Sequence, residues 1–369
     1  MTYIILFLLP LTVAVGSFIL TKTINWKEFA VQVVAQAILA GFCAGIVSCE
    51  NTTDTEVWNS QVISKQQVMV SCSHSYSCNC YESCSGSGKD RSCSTICQTC
   101  YEHSYDYDWS VYTTSGETIE INRVDRQGLD MPPRWASVVK GEPVATTHRF
   151  TNYVKAAPGT LFKHQGGTEK YQSYLPVYPQ AIYDYYQINR IVTVGFILPD
   201  RAAWNESLSL LNGQMGVARQ VNMIVVLVKD LPQDFYYALE EAWIGGKKND
   251  VIAVIGVDSE MHPKWTTVMA WATKEIFKIK LRDDIMDEST LTKEGVLQAL
   301  ATNVPAYYQH KKTAEFEYLK ASITPSGFQY GLCLGLGFML AIGLAIYFHY
   351  KDPFDYGDKP NSRRNFRRI

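Results

Sequence analysis

The sequence predicts an α/β protein that is anchored in a membrane by about three transmembrane helices and carries a small Cys-rich, disulfide-stapled module. Apolar runs without charged residues lie near both ends of the 369-residue chain. Most of the ten cysteines lie between Cys72 and Cys100. From Arg190 onward, short apolar runs typical of buried strands alternate with helical stretches. The formal net charge of -2 argues against nucleic acid as a partner, because a general nucleic-acid binder needs a basic surface.

The membrane helices are predicted over residues 3–20, 29–47 and 328–348, where the chain is apolar. A bilayer core of roughly 30 Å needs about 20 such residues in a helix. We therefore predict a transmembrane hairpin within residues 1–49 and a further span over 328–348, with the lipid bilayer as a partner. A cleaved signal peptide is the alternative for residues 3–20, but that run lacks the basic residues that precede such a signal.

Basic residues beside these runs predict the orientation of the chain. Lys22 and Lys27 lie between the first two runs. The segment 349–369 after the third run carries the arginines Arg363, Arg364, Arg367 and Arg368. Positive charge stays on the cytoplasmic side of a membrane. The prediction is an integral membrane protein with its N-terminus outside, a large extracytoplasmic (periplasmic) part over about residues 50–327, and a basic cytoplasmic tail.

Two of the predicted spans contain glycines four residues apart. Gly41 and Gly45 lie in the second span, and Gly331 and Gly335 lie in the third. Such spacing lets helix backbones approach closely in lipid. It indicates either packing of the spans within the chain or a homo-oligomer, although glycine is also simply common in membrane helices.

The Cys/His-rich module, residues 50–110, has few aliphatic residues for an apolar core, so cross-links must hold it together. In an oxidising compartment these cross-links are disulfides. Cys49 supplies an even partner for the clustered cysteines, and the spacing leaves the pairing open. The disulfide candidates are Cys49, Cys72, Cys78, Cys80, Cys84, Cys93, Cys97 and Cys100.

Structural zinc is the alternative interpretation of the same module. One tetrahedral site would be formed by residues that recur at helical intervals, namely Cys93, Cys97, Cys100 and His103. A second site would use Cys72, Cys78, Cys80 and Cys84, with His74 as a spare ligand. The redox compartment decides between disulfides and zinc, and the predicted topology favours disulfides.

Little regular structure is predicted for the residues that follow the module. Alternating residues around Ser115 and Gly116 predict a β-hairpin. Asp106 and Asp108 before it are interpreted as calcium ligands or as a solvated acidic loop. Residues 111–189 are rich in proline and have no sustained period, which predicts an irregular connector with short strands and a partner-binding surface.

Residues 190–327 form the predicted α/β domain. The runs IVTVGFIL, NMIVVLV and DVIAVIGV are continuously apolar, which predicts a mainly parallel sheet that is buried on both faces. The stretches between and after them are predicted to be helical. They are AAWNESLSLLNGQMGVARQ, DFYYALEEAW, WTTVMAWATKEIFKI and the segment that begins TKEGVLQAL.

An acidic residue closes each predicted strand: Asp200, Asp230 and Asp258. Ligands of open α/β sheets bind beyond the carboxyl ends of the strands, so these carboxylates are candidate ligands for Ca²⁺ or Mg²⁺. Asp283 and Asp284 would complete such a site. Helix capping is the alternative, because Asp before a helix accepts hydrogen bonds from its free amides. The chain has no familiar motif for a nucleophile and its base, which leaves enzymatic activity undecided.

The turn between the second and third strands contains Trp243, Gly245, Gly246, Lys247, Lys248, Asn249 and Asp250. With these residues the turn resembles that of the TPM domain family. Val251 stands where the family has a glycine, and SEMHPKWTTVMAW replaces its basic strand and glycine-rich turn. The resemblance covers about residues 190–308. It implies a membrane-anchored extracytoplasmic domain of a kind described as an acid phosphatase or a divalent-cation binder.

A second resemblance concerns the Cys-rich block, with CSGSGKDRSC and CQTCYEHSYDYDW. The block is similar to uncharacterised membrane proteins of tailed bacteriophages. The leading hypothesis is therefore a membrane-anchored binding or structural protein of the cell envelope, of phage origin by this resemblance. The alternatives are a divalent-cation-dependent phosphoester hydrolase that uses the strand-end aspartates, and a zinc-binding adaptor.

Overall fold

The computed structural model describes residues 2–21, 24–86, 91–157, 161–162, 164, 166–351 and 353–354. Lys22 and the arginines of the tail, which carry the predicted orientation, lie outside the described residues. The helices are α1 (Thr2–Thr21), α2 (Trp26–Thr52), α3 (Pro133–Ser137), α4 (Tyr153–Ala156), α5 (Arg201–Arg219), α6 (Phe235–Ala242), α7 (Ile276–Met286), α8 (Lys293–Tyr307) and α9 (Gly327–Tyr350). Short 3-10 helices span Glu169–Tyr174 and Thr313–Ser322.

The strands belong to four sheets. They are β1 (Thr53–Val70), β2 (Ser75–Ser85), β3 (Ser92–Tyr101), β4 (Asp106–Thr113), β5 (Thr118–Ile121), β6 (Pro143–Thr151), β7 (Ile182–Tyr183), β8 (Gln187–Ile188), β9 (Ile191–Val194), β10 (Asn222–Lys229), β11 (Asp250–Val257) and β12 (Pro263–Ala270). Their spatial orders are β5-β4-β1-β6, β12-β11-β10-β9, β2-β3 and β7-β8.

The chain forms two compact units. The first contains Met1–Asp54, Phe150–Leu161 and Thr313–Ile369, and the second contains Thr55–Arg149 and Phe162–Lys312. The structure thus groups the chain differently from the predicted linear series of segments, because distant stretches of sequence contribute to each unit.

Two helices of the first unit, α2 and α9, are long and apolar enough to cross a membrane. The apolar part of α1, Ile4–Leu20, is shorter. Both long helices begin with a capping box, in which the side chain of Asn25 or Ser326 accepts from the first-turn amides and Glu28 or Gln329 bonds back. Of the three predicted spans, two therefore have membrane-spanning length and composition.

The glycines that carry the predicted spacing do not mediate the helix contacts of the first unit. An added Cβ would meet nothing within 4 Å at any of them, namely Gly41, Gly45, Gly331 and Gly335. The close approach is at Gly337, where a Cβ would lie 2.6 Å from Cγ of Pro10 in α1. Gln36 of α2 donates from Nε2 to the Gly337 carbonyl at 3.0 Å. The prediction that these four glycines pack the spans against one another within the chain is therefore wrong. The homo-oligomer stays a prediction.

The parallel sheet of the second unit is buried on both faces, as the continuous apolar runs predict. Strands β9, β10 and β11 are parallel. Alternate residues face opposite sides, so Val225 packs with the residues of α5, α7 and α8, while Val226 packs with those of α6. This sandwich of helices around a sheet confirms the mixed α/β class.

The prediction of a helix over WTTVMAWATKEIFKI is wrong for its first half. Residues Pro263–Ala270 form β12, which pairs antiparallel with β11, and the helix α7 begins only at Ile276. Thr266, Thr267 and Val268 are β-branched, which favours an extended backbone once a neighbouring strand supplies hydrogen bonds. The partner strand decided the conformation.

A second sheet occupies the region that was predicted to be irregular. The predicted hairpin is present as β4 and β5, which turn at Gly116 with φ of +86°. The long strand β1 pairs antiparallel with β4, and its buried residue Val62 packs with Val111 and Tyr186. Strand β1 has no sequence prediction, because its first half is mostly polar although largely buried, and its exposed second half shows no clear alternation of apolar residues.

Candidate functional site

The Cys-rich module is a β-hairpin of β2 and β3 that is held by three disulfides. They join Cys84 to Cys93, Cys80 to Cys97, and Cys78 to Cys100. The predicted disulfide bonding is confirmed, whereas the predicted helix over Cys93, Cys97 and Cys100 is wrong because these residues lie in a strand.

Strand register explains the pairing. Cys84 and Cys93 are directly opposite each other. The register shifts between Cys78 and Tyr81, and Asn79 there has φ of +48°. Such a bulge places an extra residue on one strand and redirects the next side chain, which brings Cys80 to Cys97.

Two of the eight disulfide candidates are not bridged. Cys49 and Cys72 are free, as are Cys43 and Cys333 in the apolar helices. Three bridges therefore replace the expected four. The bridges also occupy six of the proposed zinc ligands, which leaves Cys72 and His103 available from those two predicted sets.

The remaining candidates meet at the base of the hairpin. The ligand atoms of Cys72, His74, His103 and Asp106 all lie within 4.8 Å of one another. Sγ of Cys72 is 3.7 Å from Nδ1 of His103, which is 3.2 Å from Oδ1 of Asp106. Nδ1 of His74 is 3.6 Å from Oδ2 of Asp106. We call these four residues the base quartet.

The fold brings the quartet together from two ends of the hairpin. Cys72 and His74 lie between β1 and β2, and His103 follows β3. Asp106 is the first residue of β4 and is opposite Val70, the last residue of β1. The quartet therefore lies where both strands of the hairpin leave the second sheet. Two of its members precede the hairpin in the chain and two follow it.

Asp106 is the buried anchor of the quartet. Its Oδ2 accepts from the backbone N–H of Ser73 at 3.1 Å and from Nη1 of Arg123 at 2.8 Å. Burial alone would raise the pKa of Asp106, but the hydrogen bonds from Ser73 and Arg123, with those from Cys72 and His103, hold this pKa well below its usual range. Asp106 is therefore a carboxylate, and its Oδ1 faces the imidazole of His103.

The geometry does not match a catalytic Cys-His-Asp triad. In such a triad, the nucleophile and the acid contact opposite nitrogens of the imidazole. Here Cys72 and Asp106 both contact Nδ1 of His103. Atoms that converge on one point are instead typical of ligands around an ion.

The structure does not assemble the predicted Ca²⁺ or Mg²⁺ site. Within the described ranges, the group of three or more close His, Cys, Asp or Glu ligand atoms is the base quartet, and none of the five strand-end and loop acids belongs to it. Asp258 accepts from His262 and Lys264, Asp283 pairs with Arg282 at 2.7 Å, and Asp284 accepts from Asn303. Three of the five acids therefore have local side-chain partners in place of a metal ion.

The capping alternative also fails for the strand-end acids. Asp200 immediately precedes α5 but makes no capping hydrogen bond with its side chain. Asp230 has φ of +57° and is followed by a loop. Asp258 leads into β12 rather than a helix, and its side chain accepts from the N–H of His262 at 2.9 Å. That bond and the one from Lys264 keep the pKa of Asp258 well below its usual range.

A buried polar network that the sequence analysis missed lies at the other ends of the strands. Arg190 donates to the side-chain oxygens of Asn59 and Asn222, and Asn222 donates to Asp250 at 2.8 Å. Asp250 also accepts from the N–H of Lys247 and the hydroxyl of Tyr178, each at 2.7 Å. In the sequence, the network is indicated only by a polar residue at the start of each of these apolar strands.

Protonation of Asp250 is expected to make the second unit more stable at pH 5 than at pH 7, by about 1 kcal/mol. Burial raises the pKa of Asp250 to about 6, whereas an unfolded Asp has a pKa of about 3.9. Between these values the folded chain retains a proton that the unfolded chain has released. The added stability is therefore complete below about pH 4 and disappears as the pH rises through 6.

Unfolding of the detergent-solubilised chain at pH 5 and pH 7 would measure this effect against Asp250→Asn, which cannot ionise. The variant should show a smaller difference between the two pH values than the parent chain. An equal difference in both proteins would rule out Asp250 as its source.

A cavity of about 930 Å³ lies next to the same network. Its lining includes Arg190, Arg201, Asn205, Glu142 and Tyr186. The size is within the range of ligand pockets.

Comparison with protein-family models, with curated proteins and with solved structures finds no match to this chain. The resemblances to the TPM domain family and to bacteriophage membrane proteins therefore stay predictions. The candidate site is therefore identified from geometry alone. It is the base quartet, whose four ligand atoms lie close enough to hold one metal ion.

Proposed function

We propose that this chain is a membrane-anchored, extracytoplasmic binding or structural protein of the cell envelope. Its α2 and α9 helices act as anchors, and the second unit, with its TPM-like α/β domain, acts outside the cytoplasm. A phage origin is part of the same proposal and rests on the resemblance of the Cys-rich block.

The observation that carries the proposal is the three-disulfide hairpin. Its strands are almost entirely exposed, so no apolar core holds them. Disulfides of this kind persist in oxidising compartments and are rare in the cytosol. A hairpin that depends on three of them is therefore suited to the extracytoplasmic side.

The exposed surface of the hairpin favours binding over catalysis. Tyr76, Tyr81 and Tyr101 present large side chains to solvent, with Tyr81 61% exposed. Tyrosine is enriched at protein interfaces. The hairpin also has two strands only, and the outer edge of a strand can pair with an added strand from a partner. The hydrolase hypothesis has no comparable support, because the candidate aspartates do not converge.

Thiol labelling of intact cells or spheroplasts tests the proposal. The reagents are a membrane-impermeant maleimide and a membrane-impermeant reductant, applied to a Cys49→Ser variant that lacks the exposed free thiol. We expect no labelling of the hairpin before reduction and labelling of its six cysteines after it.

The alternatives give different results. Labelling that requires cell lysis would place the hairpin in the cytoplasm and overturn the proposal. Labelling of the hairpin without reductant would show that the bridges are absent in the cell, which removes the observation on which the proposal rests.

A further inference from the structure

We propose that Cys72, His74, His103 and Asp106 bind one Zn²⁺ ion at the base of the hairpin. The first observation is the isolation of Cys72. The other clustered cysteines are bridged, whereas Cys72 is a buried free thiol next to two imidazoles and a carboxylate. The inference goes beyond the proposed function, because the quartet is formed whichever partner the hairpin binds.

Two distances at His103 are close to the edges of a tetrahedron around zinc. With Zn–N and Zn–O bonds of about 2.1 Å and a Zn–S bond of about 2.3 Å, the N–O edges are about 3.4 Å and the S–N edges about 3.6 Å. Nδ1 of His103 lies 3.2 Å from Oδ1 of Asp106 and 3.7 Å from Sγ of Cys72. The ligand atoms of all four residues lie within 4.8 Å of one another.

His74 supplies a second, independent observation. Its Nδ1 is buried and has no hydrogen bond among the described residues, although it points to the quartet. Its contact with Oδ2 of Asp106, at 3.6 Å, is too long for a hydrogen bond, and a buried polar atom without a hydrogen bond is costly. Zinc bonded to Nδ1 of both histidines would satisfy this atom and would leave each Nε2 to carry the proton.

The charges around the quartet also fit a divalent cation. Asp106 and Asp108 both pair with Arg123, so these three side chains have a net charge of -1. A zinc ion replaces the thiol proton of a cysteine ligand when it binds, so Zn²⁺ bound to Cys72 would add a net charge of +1 and offset it. Oδ2 of Asp106 is held by Ser73 and Arg123, which leaves Oδ1 as the metal ligand and fixes its orientation.

The ligand set identifies the ion and its role. One sulfur, two nitrogens and one oxygen in a tetrahedron are typical of zinc, whereas Ca²⁺ and Mg²⁺ prefer oxygen ligands only. Four protein ligands leave no open position for a substrate, so the site is structural. It would link both roots of the hairpin, where Glu102 N–H already donates to the His74 carbonyl at 3.1 Å.

Zinc titration of the purified full-length chain tests this inference. The solubilised protein is stripped of metal with a chelator and kept free of reductant, so that the bridged cysteines cannot add ligands. We expect one Zn²⁺ per chain in competition with a chromophoric chelator. Cys72→Ser and His103→Gln should each weaken binding at least about 100-fold, because even groups that only support a zinc ligand are worth about 10–100-fold.

His262→Gln is the matched control. His262 also pairs with a carboxylate, at 3.1 Å from Asp258, but has no thiol beside it. This variant should bind zinc like the parent chain. Stoichiometric binding that survives both Cys72→Ser and His103→Gln, or the absence of stoichiometric binding in the parent chain, would overturn the inference.

Cobalt gives a readout that does not depend on the folding of a variant. Co²⁺ in the parent chain should show the absorption of a tetrahedral ion with a sulfur-to-metal charge-transfer band, because Cys72 is a ligand. A Co²⁺ spectrum without the sulfur band would contradict the quartet. In hydrogen exchange, zinc should also slow the amides next to the quartet but leave those of β10 unchanged, and an unchanged hairpin root would contradict the structural role.

Discussion

Arg190→Met is expected to lower the free energy of unfolding of the second unit by about 3–5 kcal/mol, because it removes one member of a buried charged network. Arg190 is only 1% exposed. Met retains most of the aliphatic stem but cannot donate to Asn59 and Asn222. Their oxygens would be left buried without these donors, and Asp250 would lose the nearby positive charge.

The position of the network explains the size of this effect. Asn59 lies in β1, Arg190 lies just before β9, and Asn222 and Asp250 begin β10 and β11. The network thus joins the second sheet to the parallel sheet. Strand β1 and helix α5 also pack closely at Asn59, since a Cβ at Gly216 of α5 would lie 2.1 Å from the Asn59 carbonyl oxygen.

Equilibrium unfolding of the solubilised chain measures this prediction. Arg201→Met is the matched control, because Arg201 is exposed and makes a single long hydrogen bond of 3.4 Å to Ile191. The control should change stability by less than about 0.5 kcal/mol. A loss below about 1 kcal/mol for Arg190→Met would contradict the prediction. The double variant with Asp250→Asn should lose less than the sum of both single variants, because the two residues belong to one network.

Removal of all three hairpin disulfides is expected to unfold the hairpin while the parallel sheet stays folded. A single disulfide in a loop of this size stabilises by about 2–4 kcal/mol. The hairpin has almost no buried apolar side chains to replace that contribution. The parallel sheet has its own core on both faces and does not depend on the bridges.

Hydrogen exchange with and without reductant measures this effect. Amides of β2 and β3 should exchange freely after reduction, and those of β10 and β11 should keep their protection. A variant that replaces only Cys84 and Cys93 by Ser is the graded control, because this bridge is the one nearest the tip of the hairpin. It should expose only the tip. Protected hairpin amides in the fully reduced chain would contradict the prediction.

Local sequence patterns predicted those elements that depend on local periodicity. The apolar runs correspond to α2 and α9, and the continuous strands correspond to β9, β10 and β11. The density of cysteines predicted disulfides, which are present. In each case, the residues that determine the element lie next to one another in the chain.

The wrong predictions concern contacts between distant residues. Residues 263–270 have a composition compatible with helix or strand, and pairing with β11 made them a strand. Cys93, Cys97 and Cys100 fit a helical spacing, but the register of β2 against β3 decided their partners. The exposed second half of β1 has no clear alternation of apolar residues, and its partner strand β4 lies about 40 residues later in the chain.

The sequence by itself determined that this chain has membrane-length apolar helices, a cross-linked cysteine module and a buried parallel sheet. Only the tertiary structure decided which of the cysteines between Cys72 and Cys100 remains free and which side chains surround it. Cys72, His74, His103 and Asp106 come from both sides of the hairpin, and the Arg190 network contains a direct hydrogen bond between residues 163 positions apart, Asn59 and Asn222. Spacing along the chain does not encode such contacts, because strand register and sheet packing bring them together only after folding.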